Sequence, residues 1–437
     1  MHTIADLHIH SKYSRATSPQ MEPVMIDFWA KKKGINIVGT GDFTHPVYFK
    51  ELQEKLVEDE TGLLTLIKKT MHYKVFPLSA RQARKQESKK TKFMLTSEIA
   101  CIYKHGGKCR RLHMCVNAPS FDTVSKINAE LTRLKCNLRS DGRPIIGLSA
   151  KQLAELCFSI DERVMIIPAH ARTPWFAVFG SKSGYDSLQE CFEELTPKVF
   201  AIETGLSSDP EMNWRLSQLD KITLLSNSDA HSPANLGREA NVFDLKDYTY
   251  DEIREIIKTK DKKRFLYTIE FFPQEGKYHY DGHMSCNFSC APYESTTKYK
   301  NICPKCKRPL VLGVDHRVED LADRALGFKP KNLIPYKSLI PLQEIISECQ
   351  QKTKSCKSVL AQYEEMISKG ESEFNVLLNL SRDEIKNIST ELIAEAIMRM
   401  RGGKITATPG YDGVYGIIKV FKEGELLSQK AKHKEMF

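Results

Sequence analysis

The stretch Ile35-Asn36-Ile37-Val38-Gly39-Thr40-Gly41-Asp42 opens as a short apolar run and ends on glycine and an acid. Runs of about four to eight β-branched and aliphatic residues, bounded by turn formers, read as buried strands. The pattern recurs at 93–96, 164–168, 199–203 and 222–226. Amphipathic stretches lie between the runs, at 23–33, 149–158 and 187–194. Alternation of this kind predicts an α/β architecture with a mainly parallel sheet over residues 1–270, long enough to close as an irregular barrel. Residues 271–320 change character and are rich in Cys, Tyr, Lys and Pro. Residues 321–437 read as mostly helical, with helices expected at 342–351, 357–367 and 381–400, a stop at Gly402-Gly403 and a polar tail from Ser428.

Histidines and acids gather at the ends of the apolar runs. Asp6-Leu7-His8-Ile9-His10 places two imidazoles at i and i+2, the same face of an extended segment. Asp42 and His45 follow the 35–40 run, Glu98 follows 93–96, and His113 lies in Arg111-Leu112-His113-Met114-Cys115-Val116. His170 closes Ile166-Ile167-Pro168-Ala169-His170, Glu203 ends 199–203, and Asp229 and His231 repeat the i, i+2 spacing after 222–226. Any one of these is an ordinary buried polar residue. Five or six at equivalent places are not, because the carboxyl ends of strands in α/β folds converge on one site. The donors outnumber the four that one tetrahedral ion takes. Two or three ions with bridging carboxylates fit better, and such centres hydrolyse phosphate esters by activating a water and neutralising the leaving oxygen.

The 12 cysteines divide into eight scattered singly and four clustered as Cys286-x3-Cys290 and Cys303-x2-Cys306. Two such knuckles predict a closed, structural four-cysteine zinc site that staples a segment too poor in aliphatics to fold alone. The N-terminus MHTIADLHIH has no basic-then-apolar leader pattern and no stretch approaches a membrane span, so the expectation is a cytoplasmic protein, working as a monomer with no membrane partner. With 41 % hydrophobic residues a packed core is expected and global disorder is excluded. Lys and Arg number 65 against 55 Asp and Glu, a net charge of +10 that permits a polyanionic partner. Basic residues concentrate in Ala80–Lys92 (ARQARKQESKKTK) and around the cysteine knuckles, where Lys305, Lys307 and Arg308 are candidate DNA contacts. Arg172, two residues past His170, is a further candidate for facing phosphate.

The paired histidines near the N-terminus, the acid and histidine after the second run, the later Glu and His, and the closing Asp229-x-His231 resemble the PHP (polymerase and histidinol phosphatase) superfamily. That resemblance implies a distorted (β/α)7 barrel with a multinuclear centre held by His8, His10, Glu98, His113, His170, Asp229 and His231. The second motif departs from the family form, since Asp42 and His45 are separated by Phe43-Thr44 rather than adjacent. Either is expected as a ligand, and Glu203 occupies a variable slot. Longer stretches, among them Gly39–Pro46, Ser140–Ile145, Pro168–Trp175, Leu310–Arg324 and Pro409–Gly416, are similar to endonuclease Q. The similarity implies a DNA repair endonuclease that recognises uracil, hypoxanthine, xanthine and abasic sites and cuts 5′ to the lesion. It also implies Zn2+ in the zinc module and the PHP centre, Mg2+ or Mn2+ for activity, and Asp229, His231 and His170 as central to catalysis. A small-molecule phosphatase of the histidinol-phosphate type is the alternative. A sliding clamp is a possible partner without a motif: the third position after Gln429 is Lys432, where a clamp-binding peptide carries an aliphatic residue.

Overall fold

The computed structural model describes residues 2–67, 91–422 and 424–426. Most of the basic stretch at 80–92 and the tail beyond 426, with the Gln429 segment, lie outside the described residues. The strands are β1 (His2–Asp6), β2 (Ile37–Gly39), β3 (Leu56–Glu58), β4 (Leu64–Leu66), β5 (Lys92–His105), β6 (Lys108–Ala118), β7 (Ile145–Ile146), β8 (Met165–Pro168), β9 (Ala201–Glu203), β10 (Thr223–Leu225), β11 (Ala240–Asp244), β12 (Phe265–Glu270), β13 (Asp281–His283), β14 (Phe288–Cys290), β15 (Tyr336–Ser338), β16 (Thr406–Thr408) and β17 (Ile417–Lys419). An 11-stranded sheet runs β15-β12-β11-β1-β2-β5-β4-β3, with β6 and β7 joined to β5, and β8 to β6.

The fold is mixed α/β, and its pairing corrects the mainly parallel expectation. β1–β2, β2–β5, β9–β10 and β12–β15 are parallel, but β1–β11, β11–β12, β5–β6 and β6–β8 are antiparallel. The run read at 93–96 continues for 14 residues as β5 and turns back through Gly106-Gly107 into β6, both glycines at positive φ. That hairpin sets Glu98 and His113 inside strands rather than at their ends. The strand carries buried apolar residues on both faces, so alternation could not mark its length.

Helices form where caps and apolar spacing agree. Pro23 starts the helix Pro23–Lys33, and Gly34 ends it at φ 91, its N–H donating to the Ala30 carbonyl. Ala150–Ile160 begins with a reciprocal Ser149/Gln152 cap. The helix expected at 381–400 is two, Arg382–Ile388 and Glu391–Arg401, because Thr390 turns extended and caps the second by accepting from the Ile393 N–H. The helical region shares one apolar core with the N-terminal sheet; Val38 and Ile166 belong to it together with Ile346 and Ile397. Each such buried side chain stabilises by about 1.5–3 kcal/mol. The buried Lys33–Glu373 pair, 2.6 Å apart, crosses the same seam. Among the described residues no helix is long and apolar enough to cross a membrane.

Candidate metal centre

Seven of the residues read from the sequence meet at one end of the sheet: His8, His10, Glu98, His113, His170, Asp229 and His231. They come from the segments following β1, β8 and β10 and from the β5–β6 hairpin. Asp42, His170 and Asp229 sit at φ 46, 30 and 47, a left-handed region non-glycine residues seldom occupy. Strain of that kind collects at functional sites. Here it marks the turns that follow β2, β8 and β10.

Glu98 stands at the middle. Its Oε1 lies 2.8 Å from His113 Nδ1 and 3.0 Å from His170 Nε2. Its Oε2 lies 3.3 Å from His10 Nε2 and 3.8 Å from His8 Nε2. One carboxylate thus faces two histidine pairs, the arrangement a bridging ligand requires. Asp229 Oδ1 is 3.0 Å from His10 Nε2 and 3.6 Å from His231 Nδ1, so His10, Asp229 and His231 make a third grouping. The decisive feature is that His8 Nε2, His10 Nε2 and Asp229 Oδ1 are buried and make no well-aligned hydrogen bond, although the last two lie 3.0 Å apart. Orphaned buried polar atoms are costly, and three that converge fit a shared cation. The donor set of imidazoles and carboxylates suits zinc or manganese.

Electrostatics agree. Burial opposes charge on the Glu98 carboxylate, yet the neighbouring His113 and His8 hold its pKa well below the usual range. Burial likewise opposes charge on Asp229, but His10 and His8 keep it ionised. Burial pushes His113 down to about 4, the neutral form a ligand needs. For His10, burial is outweighed by Asp42, Asp229 and Glu98, which raise it well above the ordinary value. The carboxylates draw positive charge into the cluster, whether a proton or an ion carries it.

Asp42 and His45, expected as alternatives for one ligand, are not among the grouped residues. The Asp42 carboxylate accepts from the Ser11 N–H and hydroxyl, both at 2.6 Å, and from the Ser14 hydroxyl at 2.9 Å, and it lies 3.1 Å from His10 Nδ1. It stands behind His10, turning Nε2 toward the cluster. Gly142 has no Cβ because one there would collide with Asp42 and Ser14. His45 caps the helix Pro46–Lys55 and stacks on Tyr13 at 4.4 Å. Glu203 is 2.9 Å from His8 Nδ1 and also accepts from Asn227, the His170 N–H and the Cys115 thiol. It shares a grouping with His8 and Cys115 on the inner side of the cluster.

Arg172 is 1 % exposed, so it cannot face solvent or DNA as expected. Its Nε donates to Asn213, and burial lowers its pKa to about 9. The guanidinium in the centre is that of Arg143, whose Nη1 is 3.1 Å from Glu98 Oε2. The Asp141-Gly142-Arg143 turn was visible in the sequence, but an arginine 45 residues from its glutamate carries no pairing signal.

The cysteine cluster also differs from expectation. His283, Cys286, Cys303 and Cys306 come together, and His283 Nδ1 is 3.5 Å from Cys306 Sγ. Cys290 is not in the group. The β13–β14 register sets Cys290 opposite Asp281, two positions along the ladder from His283, a displacement of about 6.6 Å. It packs instead with Cys303 and Leu310. The His283-x2-Cys286 spacing is a tighter knuckle than Cys286-x3-Cys290 and was the signal to read. Lys305 is partly spent on the same knuckle, donating to the Cys286 carbonyl at 2.7 Å, while Lys307 and Arg308 are exposed.

The lesion-specific endonuclease Q of Pyrococcus furiosus is 32 % identical, with a TM-score of 0.82 over 100 % of this chain and 99 % of that one. The chain belongs to the endonuclease Q family. A second endonuclease Q structure, in complex with a 27-mer duplex substrate carrying an abasic lesion at the active site, is 32 % identical with a TM-score of 0.80, covering 97 % of this chain and 98 % of that one. An uncharacterized Bacillus subtilis protein, YqxK, is 25 % identical over 95 % of this chain and 98 % of its own length. An uncharacterized Methanocaldococcus jannaschii protein, MJ0043, is 37 % identical over 251 residues, 56 % of this chain but only 31 % of that relative. Residues 341–404 match the family described as the MJ0043 C-terminal domain, which places the helical region of this endonuclease Q relative in a recurring unit.

Proposed function

We propose that this protein is a DNA repair endonuclease that hydrolyses the phosphodiester 5′ to uracil, hypoxanthine, xanthine or an abasic site. The observation that carries the reading is the convergence of buried His8, His10 and Asp229 atoms around Glu98 in a chain that matches endonuclease Q along its whole length. The reading divides the chain into a PHP-type phosphoesterase barrel at 1–270, a zinc module at 271–320 and a helical domain at 321–437.

His8, His10 and Glu98 would hold one ion and Glu98, His113 and His170 a second, with Asp229 and His231 beside His10 as further donors. Bound Zn2+, Mn2+ or Mg2+ would polarise the scissile phosphate and ease deprotonation of the attacking water. The chain's residues do the rest. Asp42 and Glu203 fix the ring orientations of His10 and His8 through their Nδ1 atoms. Arg143 reaches the Glu98 carboxylate from the partly exposed side and is placed to pair with a phosphate oxygen. His283, Cys286, Cys303 and Cys306 would hold a structural zinc, which would order the loop that carries the exposed Lys307 and Arg308.

The test uses 5′-labelled duplexes with one uracil, one hypoxanthine, one abasic site or none, incubated with Mg2+ or Mn2+. Nicking only at lesions, absent in Asp229→Ala, supports the reading. Phosphate release from a small ester without any nicking would select the phosphatase instead.

A further inference from the structure

The hairpin of β5 and β6 has two faces, and its register assigns the metal centre to one of them. Glu98 stands opposite Cys115, and Ala100 opposite His113, so these four side chains share a face. Tyr103, opposite Arg110, and His105, opposite Lys108, point to the other. On that other face a pocket of about 310 Å3 opens between the hairpin, the loop Gly180-Ser181-Lys182-Ser183-Gly184 and Arg317 of the helix Val314–Leu321. The loop is folded tightly on itself: a Cβ on Gly184 would lie 2.4 Å from the Gly180 nitrogen, and one on Gly180 would lie 2.6 Å from the Thr173 carbonyl oxygen. Such a wall is in place before any ligand arrives, which lowers the cost of binding one.

The lining is cationic and contains no aliphatic residue. Arg317 is neutralised by Asp186, 2.5 Å away. That leaves Lys108, Arg110 and Lys182, which form no ion pair among the described residues, against Glu190 alone. Arg110 is 9 % exposed, and its Nε is buried with no hydrogen-bond partner. Its Nη1 donates to the Gly184 carbonyl, and its guanidinium lies 3.9 Å from the centre of the Tyr185 ring. The Tyr185 hydroxyl is in turn held by Tyr103 and His105 at 3.0 and 2.8 Å. Behind the loop, Arg172 lies 4.6 Å over the Phe179 ring with Nη1 and Nη2 both buried and unpartnered. An arginine stays charged when buried, and a buried charge without a counterion is costly. Two guanidinium groups with unmet donors and two free lysines gather at this one corner, and an anion is what would balance them.

We propose that this pocket is a phosphate site separate from the metal centre, taking inorganic phosphate or the phosphate end of a small monoester through Arg110, Lys108 and Lys182. With Nη1 given to Gly184, the Nε and Nη2 edge of Arg110 remains as a fork for two phosphate oxygens. The lysines add point charges from the exposed side. The volume lies at the low end of the ~300–1,000 Å3 range of ligand pockets, enough for a phosphate and a few waters. A base or an apolar tail finds no wall inside, because Tyr185 is the one ring in the lining and Arg110 covers it. A DNA strand at the metal centre lies on the opposite face of the hairpin, which favours a free anion over the DNA backbone as the occupant. The site goes beyond the nuclease reading and does not depend on it.

Equilibrium dialysis of radiolabelled inorganic phosphate against the metal-loaded protein, at constant ionic strength in chloride, measures the site. Phosphate held at the metal centre is separated by repeating the measurement with Asp229→Ala, which alters the centre and not the pocket. One phosphate per chain that survives Asp229→Ala is expected, with a Kd below about 1 mM. Arg110→Gln and Lys182→Ala should each weaken it by about tenfold or more, the loss that goes with one charge-assisted hydrogen bond. Lys182 is exposed, so its variant carries the result even where Arg110→Gln fails to fold. No phosphate beyond that lost in Asp229→Ala, or a Kd in Lys182→Ala within twofold of the wild type, overturns the site. Displacement of the phosphate by an undamaged duplex overturns it as a small-anion site and assigns the pocket to the DNA backbone. Nicking is measured apart from all of these, so failure of the pocket and failure of the nuclease reading are read separately.

Discussion

Asp42→Asn isolates the orienting carboxylate from the ligands it serves. In the wild type four donor contacts converge on Asp42, at 2.6, 2.6, 2.9 and 3.1 Å, and the residue is fully buried. An amide there turns one oxygen into a donor that meets the Ser11 or His10 donor head-on. One buried unsatisfied group costs about 1–3 kcal/mol. That cost falls on the orientation of His10, and loss of such a supporting contact lowers metal affinity or activity by about 10–100-fold. The assay is nicking of an abasic duplex across a Mn2+ titration, with protein-bound metal counted in parallel. The metal requirement of Asp42→Asn is expected to rise about 10–100-fold while saturating metal restores most of the rate. Asp229→Ala is expected to stay inactive at every concentration. If Asp42→Asn is equally unrecoverable, Asp42 is a ligand and the orienting role is wrong. An unchanged Mn2+ requirement refutes the coupling to His10.

Replacing His283 by Ala is expected to remove one tightly bound zinc per chain, read by metal analysis, whereas Cys290→Ser keeps it; the reverse outcome restores the four-cysteine site. Arg143→Ala should lower kcat for nicking by about 100-fold or more at unchanged metal content, as loss of a donor to developing charge does, and Arg143→Lys should recover only part. Arg172→Met should leave DNA affinity within about twofold because the side chain does not reach the surface; a salt-dependent loss of binding would contradict its buried placement. Burial raises Glu270 to about 8 and pushes Glu239 well up. An acid with a folded pKa above its unfolded value binds more protons when folded, so stability is full below about 4.5 and falls as pH rises toward about 8. Chemical denaturation from pH 4.5 to 8 should show that slope, shallower in Glu270→Gln by up to about 1.4 kcal/mol per pH unit.

The parts of the site legible in the sequence were those carried by local pattern. His8 and His10, His170, and Asp229 and His231 each follow an apolar run within a few residues, and the run and the turn together point the side chain to the strand end. Glu98 and His113 were found as residues but misplaced, because the extent of β5 and β6 depends on an 11-residue antiparallel ladder between them. The roles of Asp42 and Glu203 were not legible: ligand and supporting carboxylate are the same residue type, and only the distances to Nδ1 against Nε2 separate them. Spacing alone points to Cys290, whereas the donor atoms that lie together are those of His283, Cys286, Cys303 and Cys306. Arg143 meets Glu98 across 45 residues, a pairing made only by tertiary folding. The helical region was legible in extent from apolar periodicity, but its break at Ser389-Thr390 rests on a cap.

Mapping the termini at the nick tests the central claim most directly. A uracil duplex incubated with the protein and Mn2+ should yield one cut immediately 5′ to the lesion, with 3′-hydroxyl and 5′-phosphate ends, abolished by chelator and by Asp229→Ala. An elimination product 3′ to the lesion, or cutting that persists after the metals are stripped, would contradict hydrolysis at the His8–Glu98–Asp229 centre.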